Sequence, residues 1–178
     1  MITELRAKEV WCIADTHFHH KKIIKYCKRP FINVWHMNKV LKDNWKALVN
    51  PGDLVIHFGD FGFGKYPQIE PILRELPGTK ILIKGNHDRA TLSKLRKAGF
   101  HQVYKNSIEM KIGETEFVLS HRPTEVEEGK INLCGHVHEK WLIWNFSINT
   151  GVDVHGFKPL SFKEIMMIVP ELRRGVRI

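Results

Sequence analysis

The chain has 178 residues, 43% apolar and 26% charged, which suits a globular protein able to bury a core without disulfides or a structural metal. No apolar run approaches the roughly 18 residues of a membrane helix, and residues 1–9 carry acidic groups but no apolar stretch, unlike a signal peptide. A net charge of +9 fits anionic partners such as phosphates or nucleic acid, although a solvated basic surface accounts for it equally well. Three cysteines, with Cys12 and Cys134 inside apolar runs, point to reduced thiols and a cytoplasmic protein.

In chain order, Val10–Ala14 reads as a buried strand that runs into Asp15-Thr16-His17, followed by a short helix near Ile23–Tyr26. Met37, Val40, Leu41, Trp45 and Leu48 recur at helical spacing, and Asn50-Pro51-Gly52 ends that helix. Leu54–Phe58 is a second strand ending in Gly59-Asp60, and Ile69–Leu76 a second amphipathic helix. Ile81–Ile83 is a third strand, ending in Gly85-Asn86-His87-Asp88, and Ala90–Lys97 a helix with Gly99 as its terminator. Strand and helix thus alternate three times, which predicts parallel strands with crossover helices. The second half changes to short strands at 103–106, 107–112, 115–119, 131–134, 141–144 and 147–149. Gly113-Glu114 forms a hairpin turn, and Ser161 with Glu164 a capping box for a last short helix. The basic tail Glu171–Ile178 reads as a final strand or a frayed end. With no repeat or linker, residues 1–178 are expected to form a single α/β domain.

Five apolar runs end in groups able to bind a metal: Asp15/His17, Asp60, Asn86/His87/Asp88, His121 and His136/His138. Ligand sites gather beyond the carboxyl ends of parallel strands, so strands sharing a sheet or two facing sheets bring these groups to one edge. A lone residue of this kind is usually a cap or a satisfied turn. Five strand ends making the same choice are hard to obtain from turn chemistry, which favours Gly, Asn, Pro and Ser. Carboxylate, imidazole and one amide, with no thiolate, suit manganese first, with iron, zinc or nickel as alternatives. Seven ligands are too many for one ion and suit two, the arrangement that clamps both oxygens of an in-line phosphoryl displacement.

These motifs resemble those of the calcineurin-like metallophosphoesterases, which run D-x-H, G-D, G-N-H-D/E, H and G-H-x-H. Here they stand as Asp15-Thr16-His17, Gly59-Asp60, Gly85-Asn86-His87-Asp88, His121 and Gly135-His136-Val137-His138. Asn149-Thr150-Gly151-Val152-Asp153 and Lys158-Pro159-Leu160-Ser161 look like the C-terminal part of small bacterial and phage members. The resemblance implies a four-layer fold in which two facing mixed β-sheets are flanked by helices. It implies two divalent metal ions, one on Asp15, His17, Asp60 and His138, the other on Asp60, Asn86, His121 and His136, with a bridging hydroxide as nucleophile. His87 would act as general acid or charge stabiliser, oriented by Asp88.

Beside these motifs, His20, Arg29, Arg89 and Arg122 are further candidates for contact with the substrate phosphate, because Arg suits bidentate phosphate recognition. For each alone, a salt bridge or turn contact is an equal explanation. His57 reads as a core histidine or as support for the metal shell, and Trp141 and Trp144 as candidates for substrate stacking. The expected activity is hydrolysis of phosphomonoesters or phosphodiesters. The expected partner is a phosphate-ester substrate, nucleotide or nucleic acid included, with no membrane, and a homodimer is an open expectation. Alternatives are a nuclease and a non-catalytic scaffold on the same fold.

Overall fold

A computed structural model describes residues 9–173, the side chains of Tyr66 and Arg173 excepted. The reading of residues 1–8 as lacking a signal peptide, and that of the tail beyond residue 173, lie outside the described residues. In order come β1 (Val10–Ile13), α1 (Lys21–Tyr26), α2 (Val34–Leu48), β2 (Leu54–His57), α3 (Tyr66–Glu75), β3 (Thr79–Ile83), α4 (Leu92–Ala98) and β4 (Gln102–Tyr104). The second half holds β5 (Ile108–Ile112), β6 (Thr115–Leu119), β7 (Lys130–Cys134), β8 (Ile143–Trp144), β9 (Ser147–Asn149), β10 (Leu160–Ser161) and α5 (Phe162–Arg173). A 3-10 turn at Val152–Val154 and the short strand β10 are additions to the sequence-based elements, both too short for periodicity to reveal.

Two five-stranded mixed sheets result, ordered β10-β1-β2-β3-β4 and β5-β6-β7-β9-β8. In the first, β1 to β4 are parallel and adjacent in sequence order. Right-handed crossovers between sequential neighbours place every connecting helix on one face. Accordingly Val55 and Leu82 pack under Met37, Leu41, Trp45, Leu73 and Leu95 of the helices. Their strand neighbours Leu54, Ile56, Ile81 and Ile83 point the other way. There they meet Phe117, Leu119, Ile131 and Leu133 of the second sheet, with Phe162, Ile165 and Val169 of α5 in the same cluster. The expected capping box opens α5, with Ser161 Oγ accepting the Glu164 amide (3.2 Å) and Glu164 accepting the Ser161 amide (2.8 Å).

The sheets are stitched together at their carboxyl edge. Ala14, just past β1, bridges Gly151, just past β9, and donates its amide to Thr150 O at 3.0 Å. Beneath that edge lies His57, fully buried. Its Nδ1 accepts the Gly59 amide (3.2 Å), and its Nε2 meets Thr16 Oγ1 (3.0 Å), which itself donates to Phe61 O (2.7 Å). It is a core histidine with both nitrogens used, and it ties the β1 and β2 loops together.

Burial and the nearby His121 hold the His57 pKa down to about 3. The unfolded chain takes up this proton near pH 6.5 and the folded chain does not until near pH 3, so stability is lost as pH falls through that window. In chelator-treated protein the melting temperature should fall from pH 6.5 towards 4. His57→Gln should flatten that slope by up to one proton, about 1.4 kcal/mol per pH unit.

Candidate metal centre

All seven sequence-predicted ligands, and His87, meet at the carboxyl edge. Asp60 Oδ2 stands 3.6 Å from His17 Nε2, 3.5 Å from His121 Nε2 and 4.0 Å from His87 Nε2. Ligand atoms of Asp15, His17 and His138 lie within 4.8 Å of one another, and so do those of Asp60, His121 and His136. Asn86 Oδ1 joins the second group at 3.1 Å from His121 Nε2.

The backbone is bent hard to achieve this. Asp15, His17, Asp60, His136 and His138 all adopt positive φ, between 50° and 70°. Each such residue without glycine's freedom costs about 1–2 kcal/mol. Close approach also explains Gly85, since a Cβ there would overlap the Asp60 carboxylate. Gly135 is in the same position, because its Cβ would stand 2.5 Å from Ala14 Cβ and 2.6 Å from Asp15 Oδ2.

Hydrogen bonding shows which atoms are left for a cation. His121 Nδ1 meets Phe58 O at 2.7 Å, so it carries the proton and Nε2 presents a lone pair. His138 Nδ1 donates to Asp153 Oδ2 (3.0 Å), and His17 Nδ1 meets His20 Nδ1 (3.3 Å), which leaves His17 Nε2 facing Asp60 Oδ2 at 3.6 Å. Asp15 accepts the His136 amide through Oδ2 (2.7 Å), whereas its buried Oδ1 has no partner in the protein, nor has His17 Nε2. Lone pairs thus face lone pairs, and a divalent cation fits this donor set.

The titration behaviour has the same origin. Burial raises Asp15 to about 7, and burial with neighbouring imidazole and Arg29 charge lowers His17. Burial, His121 and Arg122 bring His136 down to about 4. Burial opposes the charged form of His138 as well, yet its bonds to Asp153 and Cys27 and the nearby Asp15 charge push it up to about 10.

Several sequence-based roles change. Asp88 does not orient the His87 ring: its carboxylate accepts the amides of Gly85 (2.8 Å), Asp60 (2.8 Å) and Phe61 (3.0 Å) and so clamps the Asp60 loop. His87 Nδ1 is buried without a partner, and its amide donates to Asp60 Oδ1 at 2.8 Å. Arg29 is no phosphate contact, being 4% exposed with its fork on both Asp153 oxygens (2.7 and 2.8 Å) and on Asp15 O (2.7 Å). The left-handed turn at Asp15 leaves that carbonyl to be satisfied from outside the sheet. His20 is also buried, engaged by His17 and stacked on Phe63. Arg89 and Arg122 are exposed beside the centre, as a substrate contact requires. Trp141 and Trp144 pair with each other, 5.9 Å apart.

Asp153 is the residue that sequence reasoning missed. It joins His138 to Arg29 and, with His138, lies near the half-buried Cys27 thiol. Its signals in the chain are that it follows a strand-like run, as the other site groups do, and that it closes the Asn149–Asp153 stretch noted above, neither of which gives it a role.

A family model for the calcineurin-like phosphoesterase superfamily domain matches residues 9–143. An uncharacterized protein of Methanocaldococcus jannaschii, MJ1445, is 35% identical over 175 residues, spanning 91% of this chain and 92% of the relative. The crystal structure of AQ665, a protein of unknown function from Aquifex aeolicus, superposes with a TM-score of 0.74 at 25% identity. That likeness covers 90% of this chain and 98% of the other. Asp153 lies beyond the family-matched span.

Asp153→Asn should weaken Mn²⁺ binding about 10- to 100-fold by titration calorimetry, since it loosens His138. It should also lower stability in urea by about 3–5 kcal/mol, because the buried Arg29 charge loses its counter-ion.

Proposed function

Because the chain belongs to the calcineurin-like phosphoesterase superfamily, we propose that it is a hydrolase of phosphate esters that works with two divalent cations. What supports this most directly is the meeting of lone pairs with no proton between them: His121 Nε2 faces Asn86 Oδ1 and Asp60 Oδ2, and Asp15 Oδ1 and His17 Nε2 are buried without partners. In this reading Asp15, His17 and His138 hold one cation, Asn86, His121 and His136 the other, and Asp60 is shared. Cations bound there supply Lewis acidity, neutralising phosphate oxygens and lowering the pKa of water. The donor types favour manganese, with iron, zinc or nickel as alternatives.

The protein's own part is to place and protonate. Asp60, fixed through the Asp88 clamp, sets the spacing of the two ligand groups. His87 stands outside both groups with its side chain 30% exposed and Nε2 4.0 Å from Asp60 Oδ2, where it can give a proton to the leaving oxygen. Arg89 and Arg122, exposed beside the centre, would hold the non-reacting phosphate oxygens. Residues 1–178 are taken as one domain. The free thiols of Cys12, Cys27 and Cys134 support the cytoplasm as its compartment. No helix among the described residues is long and apolar enough to cross a membrane.

Metal-loaded protein should hydrolyse bis(p-nitrophenyl) phosphate or p-nitrophenyl phosphate, stop when chelated and recover with Mn²⁺. Asp60→Ala should lose both cations by elemental analysis. His87→Ala should retain them while kcat falls about 10²–10⁴-fold. Absence of turnover with every divalent metal tested would overturn the reading, and wild-type kcat in His87→Ala would remove that residue from the reaction.

A further inference from the structure

Two cavities open onto the centre from different residues. One, of about 470 Å³, is lined by Asn86 and His121 and by Lys84, Lys105 and Arg122. The other, of about 420 Å³, is lined by His87 with Phe63, Lys65, Gln68 and Arg89. Neither lining contains a carboxylate, and Lys65, Arg89, Lys105 and Arg122 have no ion pair among the described residues. The acidic residues Glu125, Glu127 and Glu128 gather instead at a separate cavity of about 690 Å³ that none of the centre's residues lines. Positive charge is therefore concentrated on both approaches to the centre and undiluted there.

A phosphomonoester or a small cyclic diester has few anionic oxygens beyond those the centre would engage, so it leaves the cations of at least one cleft unmet. Two clefts are used together by a substrate with phosphates on both sides of the one being cleaved. Inorganic polyphosphate would satisfy that charge pattern but offers nothing to an aromatic face. Phe63 is 40% exposed, stacked on His20 with centroids 4.3 Å apart and planes 12° apart, and 5.9 Å from His87. Tyr26, 63% exposed, meets the same His20 ring edge-on at 6.3 Å. Aromatic faces beside a cationic groove are the means by which single-stranded nucleic acid is held.

The geometry points to a polynucleotide single strand as the substrate, running from the Lys105–Arg122 cleft across the centre to the Phe63–Arg89 cleft, where a base stacks on Phe63. This rests on the phosphoesterase reading above. Water adds to the central phosphorus, one P–O bond of the strand breaks, and the departing oxygen takes a proton. The products are a strand ending in a phosphomonoester and a strand ending in a hydroxyl.

The test compares two substrates on the Mn²⁺-loaded full chain: a labelled single strand of about 15 nucleotides and bis(p-nitrophenyl) phosphate. Lys105→Glu and Lys65→Glu, one in each cleft, should each lower the strand-to-aryl ratio of kcat/KM about ten-fold or more and flatten its salt dependence by about one ion. Phe63→Leu should lower the same ratio about five-fold or more, and Phe63→Trp should restore it. Turnover of the aryl diester without strand cleavage would overturn the proposal and leave the phosphoesterase reading intact, as would equal losses on both substrates in all three loss variants. Turnover of neither substrate would overturn both.

Discussion

The Asp60 carboxylate sits where the ends of the two sheets meet, and main-chain bonds fix its position. Its own amide and that of Phe61 donate to Asp88, which also takes the Gly85 amide, while the His87 amide holds Asp60 Oδ1. Oδ2 is thereby left facing His17, His121 and His87. Moving the Asp60 loop by an ångström would change all three separations together. Burial pushes Asp88 up to about 6 even against its three amide donors, so the clamp is itself a buried group that its donors only partly compensate.

Around this clamp the chain accepts backbone strain and crowded lone pairs in the same few residues. Positive φ at Asp15, His17, Asp60, His136 and His138 turns each side chain back over the end of its strand. Such conformations persist where the surroundings over-determine them. Here the parallel ladders, the Ala14–Gly151 bridge and the inter-sheet core fix the strand ends from below. The strain and the unmatched acceptors lie on the same side of the sheets. A bound cation would relieve the electrostatic part, whereas the backbone part is borne by the core.

The basic residues divide into two kinds that their side-chain chemistry does not distinguish. Arg29 is buried and spends its fork on Asp153 and on the carbonyls of the first motif, so it braces the loop that carries Asp15 and His17. Asp153 relays that brace to His138 on the other sheet. A buried guanidinium of this sort is stable only with its partner in place, which makes the pair a structural unit across 124 positions of sequence. Arg89 and Arg122, by contrast, face solvent beside the centre.

The sequence by itself determined the elements and the candidate ligands that gather at one edge. Apolar runs, helical spacing and the capping box at Ser161 are local signals, and the structure keeps nearly all of them with shifts of a few residues at the ends. The convergence of five strand ends was also legible, because parallel strands must deliver their carboxyl ends to one edge. Only the tertiary structure decided what each polar group touches. The expected partner of Asp88 is its neighbour His87, but the left-handed turn at Asp60 brings it two amides from 27 and 28 positions away, beside the local amide of Gly85. For Arg29 the sequence leaves a phosphate contact and a salt bridge as equal explanations; the structure shows the salt bridge, to Asp153, and no local pattern signals a pairing at that distance. Which residues are candidate ligands is a matter of residue type and strand position, which one sequence carries. Hydrogen-bond partnership depends on which loops meet in space, and here that was set by the packing of two sheets against each other.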